Sequence, residues 1–106
     1  CTLDSFCEMI ARTSDIMNIK NIGIGSDLCL NQPDEIVEWM RNGTWSKNKN
    51  YGEGSKNKPG FPKQPGWFED ARGFFNIEKG LRKVGFSEEE TNGILGNNWY
   101  NFYRNI

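Results

Sequence analysis

Ile19, Ile22 and Ile24, with Gly23 and Gly25 interleaved, form a short apolar run that ends at the turn-like Gly25-Ser26-Asp27. It is the one segment (about 19–25) that reads as a buried strand, and it constrains the fold more than any other feature. A strand cannot satisfy its own backbone. If central, its N–H and C=O groups need neighbouring strands on both sides, and the rest of this sequence offers no second convincing one. Ahead of it, Leu3, Phe6, Cys7, Ile10 and Ala11 recur at spacings of three and four. That stripe predicts an amphipathic helix from Leu3 to about Met17, with Thr2 as its N-cap. Helix, tight connection and buried strand in that order make one step of an α/β fold, so the expected class is α/β, mostly helical with one clear strand.

A chain of 106 residues holds one domain, and its 36% apolar content predicts a thin core. A net charge of −1 supplies no global field to draw it onto nucleic acid or an anionic membrane. No apolar stretch approaches the roughly 18 residues of a membrane span, and no leader is visible. Cys1, Cys7 and Cys29 cannot all pair internally and lack the spacing of a structural zinc site, so they read as reduced thiols, which favours the cytoplasm. Cys7, on the apolar side of the first helix, reads as a small core hydrophobe. The chain has no histidine, which excludes a Ser-His-Asp triad, a Cys-His pair and any His-based zinc site within it. Opening on Cys1 and leading at once into a helix, the chain reads as a piece of something longer.

Past the strand, Gln32-Pro33-Asp34-Glu35 opens a second helix, with proline at the first helical position, acids against the positive dipole end and Gly43 as its stop. Ile36, Val37 and Met40 are its expected buried side. Periodicity then vanishes from Thr44 to about Gly66, where Lys, Asn, Gly and Pro dominate. The embedded Trp45, Tyr51, Phe61 and Trp67 predict a packed covering loop. Asn76 is the expected cap of a helix from Ile77 to Val84, closed by Gly85. Ser87-Glu88-Glu89-Glu90 is a capping box for the next helix, which runs through Ile94 and Leu95 to a stop at Gly96. A final helix starting at Asn97 or Asn98 carries Trp99, Phe102, Tyr103 and Ile106 as an expected core stripe.

Asp27 is the strongest candidate for chemistry, because it ends the glycine-rich strand on the edge where parallel-sheet enzymes place catalytic groups. A turn-forming role is the plainer account of the same pattern. Ser26 has no base in this chain to activate it. Lys47, Lys49, Lys56, Lys58 and Lys63 stand against a single acid, Glu53, among Trp45, Tyr51 and Phe61. In isolation that mixture could grip an anionic polymer, but no nucleic-acid-binding signature accompanies it, and Gly52 and Gly54 lack the setting of a phosphate cradle.

Taken in order, Ile22-Gly23-Ile24-Gly25-Ser26-Asp27, Gln32 to Met40, Tyr51-Gly52-Glu53-Gly54, Pro59-Gly60-Phe61-Pro62, Gly80 to Glu90 and Ile94-Leu95-Gly96-Asn97-Asn98-Trp99 resemble the C-terminal part of the membrane (renal) dipeptidase family of zinc metallopeptidases, in its bacterial branch. The resemblance covers essentially the whole chain, and its strength lies in the ordered series rather than in any one segment. It implies a C-terminal fragment of a (β/α)8 TIM-type barrel and a hydrolase that uses two zinc ions to cleave the peptide bond of dipeptides. The family's zinc ligands, three histidines, an aspartate and a bridging glutamate, lie upstream and have no counterpart here, so no metal ligand is expected in this chain and no zinc bound by it alone. Asp27 matches the acid at the end of the family's last barrel strand. The resemblance therefore implies that Asp27 is catalytic and contacts substrate, as a proton carrier for the reacting amide or leaving amine. Many members continue with a second acid where this chain reads Leu28-Cys29-Leu30, so that acid's role does not transfer.

These readings make residues 1–106 a single partial domain of a dipeptidase, inactive alone for want of its metal ligands, with a dipeptide as the complete enzyme's substrate, no nucleic acid as partner and no membrane span. Strand edges and helix faces without their usual neighbours predict self-association, as a homo-oligomer or by strand exchange. The alternative is a non-catalytic interaction module that binds a partner or an anionic polymer through its lysine and aromatic loop. Salt dependence of binding separates the two.

Overall fold

Thr2 starts the first helix as the apolar stripe predicts. Its hydroxyl accepts the Ser5 N–H at 3.1 Å while the Ser5 hydroxyl accepts the Thr2 N–H at 3.1 Å, closing a capping box ahead of α1 (Leu3–Ile16). The computed structural model describes residues 1–41 and 60–106. After α1, a single 3₁₀ turn (Ile19–Asn21) is capped by the Asn18 side chain. Next come α2 (Asp34–Arg41), a second 3₁₀ turn (Ala71–Gly73), α3 (Phe74–Lys83) and α4 (Glu88–Asn92), the last running through one π turn (Gly93–Asn97) into α5 (Asn98–Arg104). No described helix is long and apolar enough to cross a membrane.

The expected α/β class is corrected by this structure. No strand occurs among the described residues, and hence no sheet and no barrel strand at 19–25. Ile19–Asn21 forms a 3₁₀ turn, and the chain from Ile22 to Gly25 is irregular. The reason is the one that made this run the tightest constraint. With no second strand to pair with, its backbone carbonyls turn to side-chain donors: Asn98 serves Ile19 and Ile22, and Trp99 serves Ile24.

The chain divides into two compact units, one of Cys1–Asp27 with Pro65–Ile106 and one of Leu28–Gln64. In the first, α1 packs on α3 and α3 on α4, while the turn at Ile19–Asn21 lies against the π turn. Cys7, Ile10, Ile22, Phe68, Ile77, Leu81 and Ile94 are its buried apolar core. The two helices come close because Gly80 lacks a side chain: a Cβ there would lie 2.6 Å from Cys7 Sγ and 3.2 Å from Leu3 Cδ1. Lys83 Nζ reaches Asp4 Oδ2 at 3.1 Å on the exposed rim of this contact. Aromatic rings cover one end. Phe6 and Trp67 have centroids 5.3 Å apart, and Phe68 meets Phe74 edge-on at 5.1 Å. Asn76 is not the cap expected of it. It lies inside α3 and donates to Trp67 O at 2.9 Å, because the Asp70 carboxylate already caps the preceding 3₁₀ turn.

Gly85 closes α3 at φ +107°, the left-handed conformation that glycine adopts without a side-chain clash. The Gly85 N–H donates to Arg82 O and the Phe86 N–H to Leu81 O, the paired bonds of a Schellman end. Ser87 and Glu90 then form the expected capping box of α4. Gly96 is not a stop. The helix widens by one residue and continues, the Asn98 N–H bonding back to Gly93 O. The terminal stripe is not core either. Trp99, Phe102, Tyr103 and Ile106 are 43–87% exposed.

In the second unit, α2 begins at Asp34, with Pro33 just outside it as carbonyl acceptor for Ile36 and Val37. Val37 is buried, whereas Ile36 and Met40 are exposed, so the buried side is narrower than expected. Gly60, at φ +87°, sits so close to α2 that a Cβ would lie 3.0 Å from Asp34 Oδ1. The Gly43 stop, Trp45, Tyr51 to Gly54, Pro59, the lysines at 47, 49, 56 and 58, and residues 44–59 of the loop expected from 44 to about 66 lie outside the described residues.

Candidate functional site

Asp27 has an exposed side chain and a backbone φ of 48°. Aspartate is among the few residues that tolerate this left-handed conformation, so the plain turn-forming account is true of its backbone. It is also the last residue of the first unit before the chain passes into the second. The carboxylate thus stands at the end of a short irregular segment, open to solvent, and Ser26 beside it is exposed as well.

What holds that segment comes from the other end of the sequence. Asn98 Nδ2 donates to Ile19 O at 2.9 Å and to Ile22 O at 2.7 Å. Both amide protons are used, and two carbonyl acceptors identify the nitrogen side of the amide. Trp99 Nε1 donates to Ile24 O at 3.2 Å. Gly23 makes room for the indole: a Cβ there would lie 2.5 Å from Trp99 Nε1. Tyr103 stacks on Trp99 with centroids 5.9 Å apart, and Phe102 meets it edge-on. Sequence reasoning passed over Asn98 and Trp99, reading the first as a helix start and the second as core. The available signal was Gly23, since a glycine within an apolar run marks close approach by another group.

A groove of about 840 Å³ runs beside this contact, lined by Met17, Lys20, Ile22, Gly23, Trp99 and Phe102 among others. Among the described residues, Lys20 is the one ionisable side chain on its wall. Asp27 does not line it.

The remaining candidates separate. Cys7 is buried against Gly80; burial, and secondarily the Asp4 carboxylate, push its thiol above its usual range, so it stays protonated and unreactive. Cys1 and Cys29 are exposed free thiols. Of the lysine and aromatic loop, Phe61 and Lys63 are described, and both are exposed. Zinc does not fit the described residues: no three His, Cys, Asp or Glu side chains among them are grouped to hold an ion, and the whole chain lacks the imidazoles such a centre favours. Compared with protein-family models, with curated proteins and with solved structures, the chain matches none of them.

Proposed function

We propose that this chain is the C-terminal part of a zinc-dependent dipeptidase, a hydrolase of the peptide bond in dipeptides, and that Asp27 is its contribution to the chemistry. The carboxylate contacts the reacting amide and carries a proton to the departing nitrogen, work suited to an exposed acid at the end of an anchored segment. The metal ions of such an enzyme are held by residues other than those described here. The 106-residue chain by itself therefore has negligible peptidase activity.

One observation carries the reading. Two segments of the resemblance, Ile22 to Asp27 and Ile94 to Trp99, are bonded to one another across 75 and 76 residues of sequence. Their joint appearance in the sequence thus has a physical counterpart, a shared contact that ends three residues from the candidate acid.

The test is hydrolysis of dipeptides by the complete gene product supplied with zinc. Turnover is expected, with Asp27→Asn lowering kcat by about 10²–10⁴-fold while elemental analysis finds the metal content unchanged. A complete gene product that binds zinc and leaves dipeptides intact overturns the reading.

A further inference from the structure

Asn98 and Trp99 bond the carbonyls of Ile19, Ile22 and Ile24, and two residues, Gly25 and Ser26, separate the last of these from Asp27. We propose that Asn98 and Trp99 are positioning residues for Asp27: together they form a latch that sets the path of Ile19 to Ile24 and so the place where the chain delivers the Asp27 carboxylate. The functional half of this inference rests on the dipeptidase reading; the latch itself does not.

The helix that carries the pair is shaped for the purpose. In an uninterrupted α-helix each residue turns the side chain by about 100°, so one extra residue in a turn re-aims every side chain beyond it by roughly that step. The π turn at Gly93–Asn97 inserts that residue directly before Asn98 and Trp99. Gly93 then gives the Asn98 amide its berth: a Cβ on Gly93 would lie 2.8 Å from Asn98 Oδ1. Gly93 is buried and Asn98 half-buried, so the amide has little freedom to evade such a clash. A glycine on each side of the contact, Gly93 behind Asn98 and Gly23 beneath Trp99, admits the donors to a segment that has no strand partner. The acceptors are main-chain carbonyls, so the latch fixes the course of the backbone whatever side chains the segment bears.

The arrangement separates two functions. Asp27 is the group that meets substrate; Asn98 and Trp99 act through the backbone. A shift of about 1 Å in a reacting group costs up to about 10²-fold in rate, which sets the scale for their loss.

The experiment uses Trp99→Phe, which deletes one N–H and keeps a ring, Asn98→Asp, which sets a carboxylate against two carbonyls, and Gly93→Ala, which displaces Asn98 without touching the segment. Amide NMR of the 106-residue chain should show shifts and faster hydrogen exchange confined to about 19–27 in all three, with α1 and α3 unchanged. Trp99→Phe is the mildest and keeps the test alive if Asn98→Asp fails to fold. In the zinc-loaded complete gene product, Trp99→Phe should lower kcat by about 10-fold with KM within twofold, and in an Asp27→Asn background it should lower kcat no further. Unchanged amides at 19–27 in Trp99→Phe overturn the latch even if the enzyme hydrolyses dipeptides. Equal losses with and without Asp27 overturn the positioning role. A complete gene product without dipeptidase activity removes the enzyme reading, while the amide shifts still decide whether the latch exists.

Discussion

Two contacts in the first unit close over a glycine, and they behave as opposites. Between α1 and α3, the atom nearest to a would-be Cβ on Gly80 is Cys7 Sγ at 2.6 Å, and Cys7 is fully buried. Between the Ile19–Ile24 segment and α5, the atom nearest to a Cβ on Gly23 is Trp99 Nε1 at 2.5 Å, on a ring that is 43% exposed. The near-equal distances conceal different freedoms. Cys7 is hemmed in by packed apolar neighbours and cannot yield, whereas Trp99 can swing toward solvent at the cost of one hydrogen bond. Close approach alone therefore does not measure rigidity; what surrounds the touching atom does.

The largest effect should come from forcing the first contact. Gly80→Ala gains helix propensity but overpacks α1 against α3, for a net loss of about 1–2 kcal/mol by urea unfolding. A stability equal to the parent's would show that the α1–α3 contact is as yielding as the other one. Gly23→Ala should cost less, about 1 kcal/mol, because the indole moves aside and forfeits its bond to Ile24 O. The accompanying sign is a red shift of tryptophan emission, and its absence breaks the comparison from the other side. Thr91 sharpens the comparison with a reversed sign. It is fully buried and its hydroxyl has no hydrogen-bond partner among the described residues, so Thr91→Val should stabilise the fold by about 1 kcal/mol.

The smallest effect lies at a rim that neither contact controls. Hydrogen bonds from the Arg72 side chain and backbone, aided by its charge, hold the Asp70 carboxyl down at about 2, against an ordinary 3.8. A carboxylate depressed in the folded state contributes stability that is present above pH 3.8 and is lost as pH falls toward 2. The group is exposed, so solvent screening keeps its effect slight. NMR titration should find Asp70 ionised through pH 3, and Arg72→Ala should return its titration toward the ordinary range.

The same contrast governs how much could be read beforehand. The α1–α3 contact and its neighbours follow from local rules: the spacing of Leu3, Cys7 and Ile10, the Thr2 cap, the Gly85 ending and the Ser87–Glu90 box are each set by residues within a turn or two. The anchored segment is set by residues 75–79 positions away, and no window of sequence reveals that carbonyls of an apolar run will be met by Asn98 and Trp99 rather than by strands. Taking Ile19 to Gly25 for a strand was a sound reading of its composition and a wrong one of its partners. Gly96 misled for a related reason, since glycine permits a helix to end without requiring it. The candidate site was half legible: Asp27 stands out by its place after the glycines, while the pair that holds its segment was visible only once the chain was folded.

Asp27's left-handed backbone has a further consequence for how this position can change over evolutionary time. Asparagine and glycine accept the same φ as readily as aspartate does, and neither carries a charge. A change of Asp27 to asparagine or glycine could therefore remove the charge in a single step and keep the bend.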